Sequence, residues 1–329
     1  MRKIIVFILL LLGLAAGGVY WWSSQPLRLS QEMVDLEVTP GEGAIQIAKE
    51  AVAAGVQTSP DLLSWWLRLA GQARGAQFKA GTYEIKQGDS PQVLLRKLRN
   101  GEFALRQVRI VEGWNLRQTR AALAKGDHLR PESAQLDEQA LLKTLERKEN
   151  SLEGLLFPDT YKYAKNASDM TVLRLAMRTM DRKLEAAWAS RDADLPYKNP
   201  YEMLIMASII EKETGRPEDR AMVASVFVNR LRIGMRLQTD PTVIYGIGDS
   251  FDGNLRKIHL QTDTPYNTYT RAGLPPTPIS MPGEASLAAA AHPASSKALY
   301  FVARGDGSSE FSETLDAHNR AVNKYIRGR

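Results

Sequence analysis

The 329-residue chain contains no cysteine. That absence excludes disulfide frameworks, cysteine-ligated zinc, iron–sulfur clusters, thiol catalysis and a lipid-modified N-terminal cysteine. Histidine is almost as scarce, with His128, His259, His292 and His318 making up the whole set. None belongs to an H-E-x-x-H or a close pair, so neither a metal nor a zinc peptidase is expected. No block of consecutive Lys and Arg resembles a nucleic-acid arm, and nucleic acid is not an expected partner. A serine hydrolase is excluded by the lack of a G-x-S-x-G with a convincing His/Asp set. Internal repeats are missing, and the Gly-rich stretch 305–309 is too irregular to cradle phosphate.

What is present is ordinary globular composition: 44% hydrophobic, 24% charged, 24 glycines and 16 prolines. Such a chain is not disordered, and its length suggests about two folded domains. The net charge of +6 suits anionic surroundings without choosing among them. One long apolar run exists, the 19 uncharged residues Ile4–Trp22, preceded by Arg2 and Lys3. As a helix it would extend about 28 Å, close to the thickness of a bilayer core. Leu14-Ala15-Ala16-Gly17 offers a weak signal-peptidase site, but the run continues to Trp21 and Trp22, which suit a membrane interface. The expectation is an uncleaved single-pass anchor in an inner membrane, N-terminus in the cytoplasm and the body in the periplasm. ATP and NAD have no place there, and no cofactor is expected.

Hydrophobic spacing divides the remainder. Residues 1–3 form a cytoplasmic tip, 4–22 the anchor and 23–35 a polar stalk. A small mixed α/β unit follows over 36–105. It combines a strand at Leu36–Thr39, helices at Ala44–Ala54, about Leu62–Leu69 and Pro91–Arg99, and a strand near Tyr83–Ile85. Tyr83 to Ser90 resembles the start of LysM modules, which bind N-acetylglucosamine-containing glycans. A larger α+β section spans 106–329, with a strand at Arg106–Val111 and helices at Leu116–Leu123, Leu136–Leu145, Asp169–Arg191, Pro200–Lys212 and Pro217–Arg232. Beyond Arg232 the chain turns rich in Pro and Gly.

The chemistry concentrates at the end of the 200–212 helix. Tyr201 to Ile210 is apolar on nearly every face, as in a buried helix. Glu211 and Glu213 then follow, about 200° apart and so on opposite faces. An apolar wall and the negative end of the helix dipole both favour a protonated carboxyl, which is what a general acid for glycosidic cleavage needs. A solvated, frayed helix end would give the same local pattern, and periodicity alone does not separate the two.

Glu153-Gly154-Leu155-Leu156-Phe157-Pro158-Asp159-Thr160-Tyr161, Ala207-Ser208-Ile209-Ile210-Glu211-Lys212-Glu213, Val223 to Leu231, Met235 to Gly246, Pro265 to Tyr269, Gly273 to Ile279 and His318 to Val322 occur in that order. On these segments the chain resembles the YceG-like family of endolytic murein transglycosylases. The resemblance covers about residues 35–326. It implies cleavage of the β-1,4 bond between N-acetylmuramic acid and N-acetylglucosamine inside peptidoglycan glycan strands, with a 1,6-anhydromuramyl end and no metal or cofactor. It places the family's catalytic glutamate at Glu211. Wall synthases of the penicillin-binding class become expected partners.

One glutamate suffices for such a reaction, because the attacking C6 hydroxyl is already tethered to the sugar. Polar support or stacking for the substrate is expected from Glu153, Asn229, Gln238, Asp240, Tyr266, Asn267 and Tyr269. One departure stands out: many relatives carry a histidine shortly before the phenylalanine at Phe311, where this chain has Ser309 and Glu310. Two other readings remain open at this point. One is a non-catalytic glycan-binding scaffold. The other is a water-using muramidase, with Glu153 or Asp240 as its second carboxylate.

Overall fold

The structure, a computed structural model, describes residues 2–72, 78–213 and 215–328; the side chains at 2, 5, 8, 12, 71 and 72 lie outside that description. The chain folds as an α+β protein of helices and small two-stranded sheets. It divides into two units, Met1–Arg106 with Lys162–Ala167, and Gln107–Tyr161 with Ser168–Arg329.

In the first unit α1 (Arg2–Ser24) is one continuous helix whose large apolar side chains, among them Phe7, Leu10, Leu14 and Trp21, are exposed. Among the described residues no helix is long and apolar enough to cross a membrane. Some side chains of the expected anchor fall outside the description, and the anchor is taken up below as a proposal. The expected stalk is folded instead. β1 (Arg28–Leu29) pairs with β3 (Val56–Gln57), and β2 (Met33–Val38) begins inside the segment expected to be a polar stalk. Its alternation is legible: Val34, Leu36 and Val38 are buried while Met33, Asp35 and Glu37 face out.

α2 (Ala44–Ala53), α3 (Pro60–Gln72) and β4 (Gly81–Lys86) follow, with β2 and β4 antiparallel and Leu36 opposite Tyr83. α4 (Pro91–Asn100) starts where Ser90 accepts from the Val93 N–H and stops at Gly101, whose positive φ of 72° suits a residue without a Cβ. Ile47, Leu63, Leu67, Tyr83, Ile85, Leu94 and Leu98 fill one core. Each such side chain contributes roughly 1.5–3 kcal/mol by leaving water. Residues 162–167 return to this unit, where Lys165 donates its backbone N–H to Ala104 and its ammonium pairs with Asp35 at 2.5 Å.

The chain enters the second unit within β5 (Leu105–Arg109). There follow α5 (Leu116–Ala124), α6 (Glu138–Thr144), β6 (Thr160–Ala164, which passes into the first unit at Lys162), α7 (Asp169–Ser190), α8 (Pro200–Glu213) and α9 (Pro217–Arg232). The Pro- and Gly-rich remainder is more ordered than its composition suggests. It forms α10 (Asp240–Ile247), α11 (Lys257–Gln261), α12 (Glu284–Ala291), the hairpin β7 (Tyr300–Ala303) with β8 (Ser309–Ser312), and α13 (Leu315–Tyr325).

α8 is the axis of this unit, with Met203 to Ile210 buried without interruption. An all-apolar helix is stable only when covered on every side, and α7, α9, α10 and α12 pack on it. The alanines of α12 leave room for close approach. The two ends of α8 emerge, and the last turn carries Glu211, Lys212 and Glu213.

Candidate active site

A cavity of about 1070 Å³ in the second unit opens beside that last turn. It matches the upper end of the usual ~300–1,000 Å³ ligand pocket and has room for more than one sugar ring. Its walls come from the 113–120 turn and α5, the 151–153 turn, α8 through Lys212, α10, and Tyr266.

α5 begins with a capping box: Asn115 accepts from the Gln118 N–H, and the Gln118 side chain accepts from the Asn115 N–H. The next orphan donor, the Leu116 N–H, is taken by Glu153 (3.0 and 3.1 Å to its two oxygens). Glu153 is 2% exposed and also accepts from the Tyr245 hydroxyl at 3.0 Å. Burial pushes its carboxyl up to about 7, although the Leu116 and Tyr245 hydrogen bonds pull the other way. Tyr245 stands edge-on to Tyr266, 4.9 Å between centroids, and the Tyr266 and Thr277 hydroxyls lie 2.9 Å apart.

Glu211 is outside the cavity's lining and sits beside two residues that belong to it, Gly113 and Lys212. Ser208 and Glu211, one turn apart on α8, both hold the strap 279–283: Ser208 accepts from the Ile279 N–H at 3.0 Å, and Glu211 accepts from the Gly283 N–H at 2.9 Å. The strap in turn pairs with the cavity turn, Gly113 N–H to Met281 carbonyl (2.9 Å) and Met281 N–H to Trp114 carbonyl (2.7 Å). Lys212 donates to the Gly113 carbonyl at 3.2 Å. Glu213 points the other way, as the 200° spacing requires, and accepts from the Thr239 hydroxyl. Burial raises its carboxyl, with the nearby Asp240 adding to the effect.

The expected substrate residues are only partly brought together. Glu153 and Tyr266 line the cavity. Asp240 accepts from the Tyr269 hydroxyl at 2.5 Å, both outside its lining. Gln238 is exposed, with a positive φ of 50° that is uncommon outside glycine, and its N–H donates to the Thr268 carbonyl. Two expectations need correction. Asn267 is 1% exposed and its amide donates to the His259, Leu260 and Thr262 carbonyls, so it pins its own loop. Asn229 donates to the Ser296 and Ala298 carbonyls and lines a separate cavity of about 230 Å³. Ser309 and Glu310, at the position of the departure, lie in β8 away from the cavity: the Ser309 N–H donates to Asp219, and Glu310 pairs with Arg304.

Tyr245 and Lys212 were not legible as site residues. Their place depends on the pairing of segments remote in sequence, and nothing in their spacing signals it.

The architecture and site define an α+β protein with a cavity that is lined by the buried carboxyl of Glu153 and has, next to its lining residue Lys212, the partly exposed carboxyl of Glu211. Among the described residues no group of His, Asp and Glu is arranged to hold a metal ion. The chain belongs to the YceG-like family, whose model matches residues 36–324. It is 32% identical to a Bacillus subtilis protein named endolytic murein transglycosylase, over 95% of this chain and 91% of the relative. A Streptococcus pneumoniae protein of the same name is 26% identical, over 99% of this chain and 65% of its own length. The fold is similar to the crystal structure of a YceG-like protein from Listeria monocytogenes (TM-score 0.54, 29% identity, 88% of this chain and 99% of the other).

Proposed function

We propose that this chain cuts the MurNAc–GlcNAc β-1,4 bond within nascent glycan strands and leaves a 1,6-anhydroMurNAc end. At the coarser level it is a peptidoglycan lytic transglycosylase, on the strength of the family match and of relatives that bear that name across nearly the whole chain. The observation that carries the finer reading is the position of Glu211, a partly exposed carboxyl that adjoins Gly113 and Lys212, two lining residues of a cavity of about 1070 Å³. In this reading Glu211 protonates the leaving O4 oxygen. The C6 hydroxyl of the same muramyl residue then attacks C1 and returns its proton to Glu211. Tyr266 offers a ring for a sugar face, and Glu153 with Tyr245 keeps the floor in shape.

Anchoring and location belong to the same proposal. α1 holds the protein in an inner membrane with its body in the periplasm, supported by the uncharged run Ile4–Trp22 and the exposed apolar surface of α1. The β2–α2–α3–β4 unit acts as a LysM-like glycan grip beside wall synthases. Alkaline extraction of membranes should leave the full chain in the pellet; release into the supernatant would remove the anchor. Pull-downs from membranes that recover no synthase would remove the partnership.

The test of the activity is mass spectrometry of muropeptides after incubation of the full chain with uncrosslinked peptidoglycan. Anhydro ends are expected. Reducing ends would make the protein a water-using muramidase, and binding without cleavage would make it a scaffold.

A further inference from the structure

Breaking a glycosidic bond places positive charge on C1 and the ring oxygen, and an anionic group beside that charge lowers the barrier. Glu211 cannot fill this role while it still holds the proton it must donate. Glu112 can. It precedes Gly113 at the cavity rim, is exposed, and has no hydrogen-bond or ion-pair partner among the described residues.

Gly283 stands between the two carboxyls. Its N–H donates to Glu211 Oε2 at 2.9 Å. Its Cα packs so tightly against Glu112 that an added Cβ would collide with Oε1 and Cδ of that side chain. One N–Cα bond separates these two contacts, so the carboxylates lie no more than about 8 Å apart. Carboxyl pairs that act on one glycosidic bond are spaced about 5–9.5 Å apart.

We propose that Glu112 is a second catalytic carboxylate, facing the sugar cation that forms as Glu211 protonates the leaving oxygen. The inference rests on the reading of Glu211 as the acid. The C1–O4 bond breaks with its electron pair going to O4, which takes the proton of Glu211. The C6 oxygen bonds to C1, and its proton returns to Glu211. Glu112 forms no bond and moves no proton, so the product remains an anhydro end. Glycine at 283 follows from the same geometry, because any side chain there would push the flexible Glu112 aside.

The test uses purified full-length protein and uncrosslinked peptidoglycan strands, comparing wild type, Glu112→Gln, Gly283→Ala, the double variant and Glu211→Gln. Glu112→Gln should lower kcat about 100-fold with KM within about twofold of wild type. Its product should stay anhydro, and its thermal midpoint should not move. Gly283→Ala should show a comparable loss, and the double variant little more than either alone. Turnover of Glu112→Gln within about twofold of wild type, beside an inactive Glu211→Gln, would overturn the role of Glu112 and leave that of Glu211 intact. An active Glu211→Gln would remove both. Wild-type reducing ends that vanish in Glu112→Gln would make Glu112 a water-activating base and overturn the electrostatic role.

Discussion

Glu153, in the wall of the cavity, and Glu211, beside it, sit under opposite conditions. Glu153 is 2% exposed, its acceptor sites are occupied by the Leu116 N–H and the Tyr245 hydroxyl, and burial raises it to about 7. Glu211 is partly exposed and accepts a backbone hydrogen bond from Gly283. Judged by proton affinity alone, Glu153 would be taken for the general acid. Judged by exposure, it is a buried brace for the start of α5, whereas Glu211 is partly exposed and is the carboxyl we propose as the proton donor. A perturbed carboxyl therefore locates the site without naming the group that does the chemistry, because a catalytic proton must also have somewhere to go.

That contrast can be broken in several places. The largest effect is expected from Glu211→Gln, which should lower turnover by at least about 100-fold without changing the unfolding midpoint, measured by muropeptide release and by thermal scans. Next comes the pH dependence of stability. The folded pKa of Glu153 lies above its unfolded value of 4.5, so its stabilising contribution is fully present below pH 4.5 and is lost as pH rises towards 7. The loss amounts to on the order of 3 kcal/mol. Urea unfolding of wild type between pH 4.5 and 8 should show that slope, and Glu153→Gln should flatten it; equal slopes would mean that Glu153 does not hold a proton in the folded protein. Asn267→Ala, which strands three carbonyls, should cost about 1–3 kcal/mol of stability. Its kcat should stay within about threefold of wild type; a larger drop would return Asn267 to the substrate. Smallest, Tyr269→Phe removes one hydrogen bond to an exposed Asp240 and should cost less than about 1.5 kcal/mol by denaturant titration.

The parts of the fold legible in the sequence are those governed by local rules. Pro217 with Glu218 and Asp219 marks the start of α9, whose observed span is Pro217–Arg232. Ser90 and Gly101 bracket α4 in the same way. The opposed directions of Glu211 and Glu213 follow from helix geometry and are realised in their separate partners, Gly283 and Thr239. What escaped depends on contacts distant along the chain. α12 carries Glu-Ala-Ser-Leu-Ala-Ala-Ala-Ala, with no amphipathic pattern because most of it is buried against other helices. β1 and β3 are two residues each and exist only as a pair. Within the site, Glu153 was legible as a candidate but its burial was not, since that requires Leu116 and Tyr245 to meet it from 37 and 92 residues away. Asn267 and Asn229 misled because a polar residue between aromatic or helical neighbours looks the same whether it faces a ligand or its own backbone.

In the proposed reaction the partly exposed Glu211, and not the buried Glu153, carries the proton to the leaving sugar. The most direct measurement is muropeptide mass spectrometry on uncrosslinked peptidoglycan, with full-length wild type, Glu211→Gln and Glu153→Gln digested side by side. The account predicts 1,6-anhydro ends from wild type and from Glu153→Gln, and none from Glu211→Gln. Anhydro ends from Glu211→Gln, with their loss in a folded Glu153→Gln, would contradict it.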